Sequence, residues 1–153
     1  MPKPRKTWRQ KLADSKGLPK TGPIEGKMTT RWGTGTMVVP APSEVDALMK
    51  RIPLGRTATL NDLRARLARK HGVGIACPLT TGIFAWIAAH AAEEARDAGE
   101  KEITPWWRTL KNGGQLNPKF PGGIAKQKEL LEAEGHLVVQ KGQRFFCEAR
   151  PRG

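Results

Sequence analysis

Two helices joined by a short loop are predicted in the central part of the chain, which reads TLNDLRARLARKHGVGIACPLTTGIFAWIAAHAAEEARDAG over residues 59–99. The first helix is expected to begin at Thr59, whose side chain can cap it, and to end at Gly72. Pro78 opens the second helix, which is longer and ends near Gly99. Its apolar stripe is formed by Ile83, Phe84, Ile87 and Ala91.

Further helices and strands are predicted before and after the central helix pair. A short helix is expected from Ser43, its N-cap, to about Arg51. A helix over residues 124–134 and two strands over residues 137–139 and 144–147 follow the central pair. The order of helix, turn, helix, loop and helix, followed by a hairpin, predicts a winged helix-turn-helix domain that is mainly α with a small β-hairpin.

The N-terminal segment differs in composition from the rest. Residues 1–36 carry nine Lys and Arg residues against two acidic residues, with many Gly and Pro. They are therefore expected to form a basic, poorly structured arm, while residues 37–153 form the domain. Two interpretations stay open for the arm: a solvated tail, or a segment that lies along phosphates, with Trp8 and Trp32 as stacking points.

The charge of the whole chain predicts a polyanionic partner. Lys and Arg number 27 against 14 acidic residues, a formal charge of +13. Nucleic acid is the expected partner, and an anionic membrane surface is the rival. No segment approaches the ~20 apolar residues that span a bilayer, and a cytoplasmic protein is expected. The two cysteines and three histidines make no zinc-ligand pattern, so neither a metal nor a cofactor is expected.

One family resemblance accounts for several motifs together. Residues 103–136 resemble the active-site half of the 6-O-alkylguanine-DNA alkyltransferases, which carry Pro-Cys-His-Arg-Val, then Tyr-Ser-Gly-Gly, then a helix ending Leu-Leu-x-x-Glu-Gly-His. This chain has PWWRT at 105–109, FPGG at 120–123 and LLEAEGH at 130–136. Upstream, residues 52–60 resemble the Pro-x-Gly turn that leads into the DNA-binding helices of that family. The joint order and spacing of these motifs carry the resemblance.

The departures from the family pattern decide the expected activity. Trp106 stands at the position of the alkyl-accepting cysteine, Trp107 at that of the activating histidine, and Glu134 is retained. Because indole is neither a nucleophile nor a base at neutral pH, no alkyl transfer is expected there. Tryptophan in place of the acceptor also marks the alkyltransferase-like branch, which resembles the enzyme but binds alkylated DNA without repairing it. Thr80 and Thr81 stand closest to the position of the arginine, and Leu60 at that of the tyrosine, that help the family to rotate a base out of the duplex.

Two sets of candidate site residues follow from the resemblance and the charge pattern. The base pocket is expected to contain Trp106, Trp107, Phe120, Pro121, Gly122 and Glu134. DNA contacts are expected from Arg56, Thr59, Arg64, Arg66, Arg69, Lys70, Thr80, Thr81, Arg108 and Lys111. Alternatives stay open for several of them. One tryptophan is expected in the core and one in the pocket, and Arg108 can brace the motif instead of contacting phosphate.

The expected function is therefore a non-catalytic one. The sequence predicts a monomeric protein that binds duplex DNA, with alkylated DNA as the sensed form and a repair protein as a further partner. A second interpretation is an architectural or regulatory DNA-binding protein without lesion preference. A third is an alkyltransferase-related enzyme that uses Cys77 as a relocated nucleophile, although a buried structural thiol is favoured there. Binding to RNA is the least supported interpretation, because no RNA-recognition motif occurs.

Overall fold

The computed structural model describes residues 6–148, and within them the chain forms six α-helices and seven short strands. The helices are α1 (Trp8–Ala13), α2 (Met28–Trp32), α3 (Pro42–Lys50), α4 (Leu60–His71), α5 (Pro78–Asp97) and α6 (Gly123–Ala133). The strands are β1 (Lys20–Pro23), β2 (Thr36–Val39), β3 (Ala58–Thr59), β4 (Ile75–Ala76), β5 (Thr109–Leu110), β6 (Leu137–Lys141) and β7 (Arg144–Glu148). Single 3-10 turns lie at Trp106–Arg108 and Asn112–Gly114.

The central helix pair has the predicted bounds. Thr59 caps α4 because its hydroxyl accepts the Asp62 amide, while the Asp62 carboxylate accepts the Thr59 amide. Gly72 ends α4 in the left-handed conformation (φ 65°) that glycine adopts without a steric penalty. Pro78 is the first residue of α5. Ile83 is 40% exposed, so its predicted place in the buried stripe is wrong.

The main core lies between α3, α4 and α5. Its buried side chains include Val45, Met49, Leu63, Leu67, Phe84, Ala88 and Trp106. α3 begins one residue before the predicted cap Ser43, because the chain enters the helix at Ala41, whose amide donates to Glu44. None of the helices in the described part of the chain is long and apolar enough to cross a membrane.

The prediction of a poorly structured N-terminal arm is wrong for residues 6–36. β1 pairs antiparallel with β2, and β2 pairs in parallel with β4, which gives a three-stranded sheet. This pairing joins residues on both sides of the predicted boundary between residues 36 and 37. Ile24 is buried in a cluster with Met37 and Cys77. Residues 1–5 and 149–153, which the predicted arm and domain also included, lie outside the described residues.

Helix α1 attaches the N-terminal segment to α5. The backbone amides of Trp8 and Arg9 donate to the Glu94 carboxylate at 3.2 and 3.1 Å. Arg9 also forms an ion pair with Glu100 at 3.0 Å. A carboxylate at a helix N-terminus satisfies free amides and suits the positive end of the helix dipole. Composition alone missed this packing, because it requires partners about 86 residues away in the sequence.

The last third of the chain contains the predicted helix and hairpin. α6 is followed by β6 and β7, which pair antiparallel from Leu137↔Glu148 to Lys141↔Arg144. β3 and β5 pair in parallel and place Leu110 beside the start of α4. The chain is thus a mixture of helices and small sheets, with more strand than the predicted hairpin alone. That the hairpin acts as a wing on DNA stays a prediction.

Candidate nucleic-acid interface

Trp106 lies in the core and not in a pocket. Its side chain is fully buried, and its Nε1 donates to a Glu93 carboxylate oxygen at 3.2 Å. Phe120 is 3% exposed and packs edge-on against Trp106, with ring centroids 5.8 Å apart. The prediction that these two rings line a base pocket is wrong, because neither offers a free face to a ligand in this structure.

Trp107, Arg108 and Glu134 form one hydrogen-bonded cluster. Glu134 accepts from Trp107 Nε1 at 2.9 Å and from Arg108 Nη2 at 2.7 Å. Arg108 Nη1 donates to the Ile52 carbonyl at 2.8 Å. Partial burial raises the pKa of Glu134, but the hydrogen bonds from Arg108 and Trp107 outweigh that effect and hold the pKa below its ordinary value. Arg108 therefore holds its motif in place within the protein. This is the alternative to phosphate contact that the sequence left open.

The remaining predicted pocket residues do not converge on a shared cavity. Trp107 is half-buried and lines an open, polar cavity of about 540 Å³ together with Lys50, Arg96 and Lys101. Pro121 and Gly122 lie in the loop before α6, and Gly122 is exposed. Contact of these three residues with a base stays a prediction.

A different cavity, of about 460 Å³, lies at the N-terminal end of α5. Its lining residues include Leu60, Leu79, Ile83, Trp86, Lys111 and Lys119. Leu79 is 65% exposed and Ile83 is 40% exposed, although both are apolar. An exposed apolar surface beside charged residues is typical of a binding site rather than of a solvated helix face.

Three separate parts of the chain bring these residues together. Leu60 is the first residue of α4, which is joined to the loop after β5 by a hydrogen bond from the Asn61 amide to Asn112 Oδ1 at 2.9 Å. Lys111 comes directly after β5, whose pairing with β3 sets its distance from Leu60. The loop that carries Lys119 is held because the Asn117 amide donates to the buried Gln127 side chain at 2.8 Å.

The electrostatics of this cavity favour an anionic ligand. Lys111 and Lys119 lie at the cavity, and neither takes part in the ion pairs between described residues. Along α5, no acidic residue occurs before Glu93. The cavity also lies at the positive end of the α5 dipole. A phosphate group at this end of the helix would therefore lie near two lysines and near the positive end of the helix dipole.

The predicted DNA contacts fall into three groups. Arg56, Arg66 and Arg69 are exposed, and Lys111 lines the cavity. Thr59 serves as a helix cap, Lys70 is paired with Glu44 at 2.6 Å, and Arg64 donates to the Ala76 carbonyl at 2.9 Å. Thr81 is fully buried and its hydroxyl donates to the Cys77 carbonyl, so its predicted DNA contact is wrong.

The Thr80 hydroxyl and Cys77, on either side of Pro78, are both turned away from solvent. The hydroxyl of Thr80, a residue on the first turn of α5, is buried without a hydrogen-bond partner among the described residues. Cys77 is 5% exposed and packs against Ile24, Met37 and Trp32. This burial matches the structural thiol that the sequence favoured over a relocated nucleophile.

Sequence reasoning missed Leu79, Trp86 and Lys119 as site residues. Leu79 lies one turn before Ile83 on the apolar stripe of its helix, so the sequence pattern gave no signal for its exposure. Lys119 gave no signal, because its approach to α5 depends on the tertiary position of its loop.

Comparison with known proteins establishes no family for this chain. No family model and no curated protein matches the sequence. Solved structures that align with part of this chain include alkyltransferase-like proteins in complex with DNA. One is S. pombe Atl1 in complex with damaged DNA containing O6-carboxymethylguanine, at 21% identity and a TM-score of 0.44, covering 69% of this chain and 85% of that one. Another is S. pombe ATL in complex with DNA, at 20% identity and a TM-score of 0.45, covering 71% and 88%. Similarity of this extent carries no argument about function.

Proposed function

We propose that this protein binds duplex DNA with the face that contains the N-terminal end of α5, and that the adjacent cavity takes a base rotated out of the duplex. The observation that carries the proposal is the cavity itself. It has apolar walls and two lysines, and it lies at the start of α5, the second helix of the predicted helix-turn-helix pair. That helix is the one that enters a DNA groove in proteins of this architecture.

The walls of the cavity suit a flat heterocycle. Trp86, Leu79 and Ile83 supply apolar surface, and the volume of about 460 Å³ falls within the range of small-ligand pockets, roughly 300–1,000 Å³. Rotation of a base out of the stack costs a few kcal/mol. Stacking on an aromatic side chain stabilises a base by about 1–3 kcal/mol. Apolar burial and phosphate contacts must therefore supply the rest.

The chemistry of the cavity supports binding without alkyl transfer. No cysteine occurs among its lining residues. Cys77 is buried on a different cluster, and burial raises the pKa of Cys147 above its ordinary value, which disfavours the thiolate there. We therefore propose a non-catalytic role.

Alkylated DNA is the proposed preferred form. An alkyl group on a guanine oxygen adds apolar surface to the base and weakens its pairing, so the base leaves the stack at a lower cost. Leu60, Leu79 and Ile83 give that alkyl group apolar surroundings. The resemblance of residues 103–136 to the alkyltransferases agrees with this preference. Support of DNA repair is the corresponding proposed role, with a repair protein as the further partner.

A salt titration tests DNA binding through this face. Duplex affinity is measured by fluorescence anisotropy at several salt concentrations for the wild type and for Lys111→Ala/Lys119→Ala. If both lysines neutralise phosphates, the slope of log K against log salt becomes shallower by about 1.8. The matched control is Lys50→Ala/Lys101→Ala, which removes two lysines near the other end of α5, and its slope is expected to stay within about 0.5 of the wild type.

One outcome would contradict DNA binding through this face, and another would contradict the preference for alkylated DNA. A wild-type slope for Lys111→Ala/Lys119→Ala would show that the lysines at the cavity do not contact phosphate. Equal wild-type affinity for a 6-O-methylguanine duplex and an unmodified duplex would leave only the architectural interpretation.

A further inference from the structure

Three aromatic side chains join helix α1 to the middle of α5. The Trp8 ring stacks on His90, with centroids 4.5 Å apart and planes 21° from parallel. It also meets Trp86 edge-on at 4.7 Å, and Trp86 meets His90 edge-on at 5.5 Å. We call these three side chains the aromatic brace. Such pairs stabilise by about 0.5–1.5 kcal/mol beyond the area that they bury.

Two side chains of the aromatic brace hydrogen-bond to the same backbone atom, in the loop that carries Lys119. Trp86 Nε1 donates to the Lys119 carbonyl at 3.1 Å, and His90 Nε2 lies 3.2 Å from the same oxygen. Because a carbonyl only accepts, His90 must carry its proton on Nε2. One carbonyl oxygen can accept two hydrogen bonds through its two lone pairs. The aromatic brace therefore fixes the backbone of Lys119, which is one of the residues that line the cavity.

Helix α1 is itself held in place independently of the cavity. Glu94 accepts two amides at its start, and a capping box joins Thr7 and Gln10. The Lys11 ammonium lies 4.4 Å from the centre of the Trp8 ring. These contacts hold the Trp8 ring against His90, so the N-terminal segment supports the loop that carries Lys119.

We propose that the aromatic brace positions Lys119 for DNA, which makes α1 a positioning element of the DNA-binding site. This inference rests on the proposed function. Trp8 is a positioning residue, because it acts through His90 and Trp86 and does not itself line the cavity. Loss of the Trp8 ring frees His90 to change rotamer, which weakens the hold on the Lys119 carbonyl.

A double-mutant cycle tests the inference. Duplex affinity is measured for the wild type, Trp8→Ala, Lys119→Ala and the double variant. Trp8→Ala is expected to weaken binding about threefold to tenfold in the wild-type background and less than about 1.5-fold in the Lys119→Ala background. An equal effect in both backgrounds would overturn the inference, because Trp8 would then act without Lys119.

Amide hydrogen exchange gives a second readout that needs no DNA. The Lys119 amide donates to Asn117 Oδ1, and the Phe120 amide donates to the Asn117 carbonyl. Faster exchange of these two amides is expected in Trp8→Ala, with α4 amides unchanged as the folding control. If the wild type fails to bind DNA, the proposed function falls, while this exchange still tests the positioning.

Two further variants keep the inference testable if Trp8→Ala does not fold. Trp8→Phe retains a ring for stacking and is expected to keep near wild-type affinity. His90→Phe retains the ring but removes the Nε2 donor, and it is expected to weaken binding about twofold to fivefold and to speed the same exchange. Unchanged affinity and unchanged exchange in His90→Phe would overturn the inference.

Discussion

The N-terminal and C-terminal halves of α5 lie in different surroundings. In the first half, residues 78–86, Leu79 and Ile83 are 65% and 40% exposed although Phe84 and Ala85 are buried, and no side chain is acidic. In the second half, residues 88–97, four alanines are buried in the core. The carboxylates of the second half serve internal contacts, because Glu93 accepts from Trp106 and Glu94 accepts from the start of α1.

The difference shows that one regular helix has two roles. The second half uses its side chains on contacts within the protein, so it is a structural support. The first half leaves apolar side chains in water beside Lys111 and Lys119, which contributes little to folding. A binding partner that covers this surface accounts for both its apolar side chains and its charge.

Among these variants, Trp106→Ala is expected to lower the free energy of unfolding most, because it removes the ring packed beside the second half of α5. A fully buried tryptophan leaves a cavity when truncated, and the free energy of unfolding is expected to fall by about 3–5 kcal/mol. Urea unfolding followed by circular dichroism measures it. The half-buried Trp32 gives the control Trp32→Ala, with a smaller expected loss. A loss below about 1 kcal/mol for Trp106→Ala, together with changed lesion binding, would show that Trp106 lines a pocket after all.

Replacement of Glu134 by glutamine tests whether the Trp107 cluster is also structural. The side chains of Glu134 and Arg108 are 10% and 14% exposed, so loss of the pair is expected to cost about 2–3 kcal/mol. The same urea unfolding experiment measures it. Duplex affinity at the other end of α5 is expected to change less than about twofold.

The pH dependence of this cluster has a defined sign. Because the folded-state pKa of Glu134 is lowered, its stabilisation is full above the unfolded-state pKa and is lost as the pH falls through the folded-state pKa. The difference in stability between wild type and Glu134→Gln should therefore shrink in acid and be constant at neutral pH. A difference that grows on acidification would contradict the assignment.

The sequence predicts the local elements well where short-range chemistry sets them. Thr59 and Gly72 bound α4, and the turn of the hairpin, at Gly142 and Gln143, lies one residue after the predicted Lys141-Gly142. It fails for residues 6–36, because β1 gains its hydrogen bonds from β2 and α1 gains its anchor from Glu94. Charge and Gly and Pro content describe a segment alone and do not reveal partners far along the chain.

The site is only partly predictable for a related reason. Alignment to a motif assigned Trp106 and Phe120 to a pocket, but bulky rings in place of smaller side chains fill the space that a pocket requires. Lys111 was predicted and does line the cavity. Leu79 and Trp86 were not predicted as site residues, because the apolar residues of their helix were expected to pack in the core.

A cavity-blocking variant gives the most direct test of a base-binding cavity. A Cβ at Gly82 would lie 4.0 Å from Leu60 Cδ1, so a larger side chain at this position projects into the cavity without a backbone clash. Competition between duplexes with and without 6-O-methylguanine is measured for the wild type, Gly82→Leu and the control Gly82→Ala. Gly82→Ala should also raise stability by about 0.5–1 kcal/mol, because alanine is the better helix former. The wild type and Gly82→Ala should prefer the modified duplex, whereas Gly82→Leu should lose that preference yet bind unmodified DNA within about twofold of wild type. An undiminished preference in Gly82→Leu would contradict the account, because the base would then bind elsewhere.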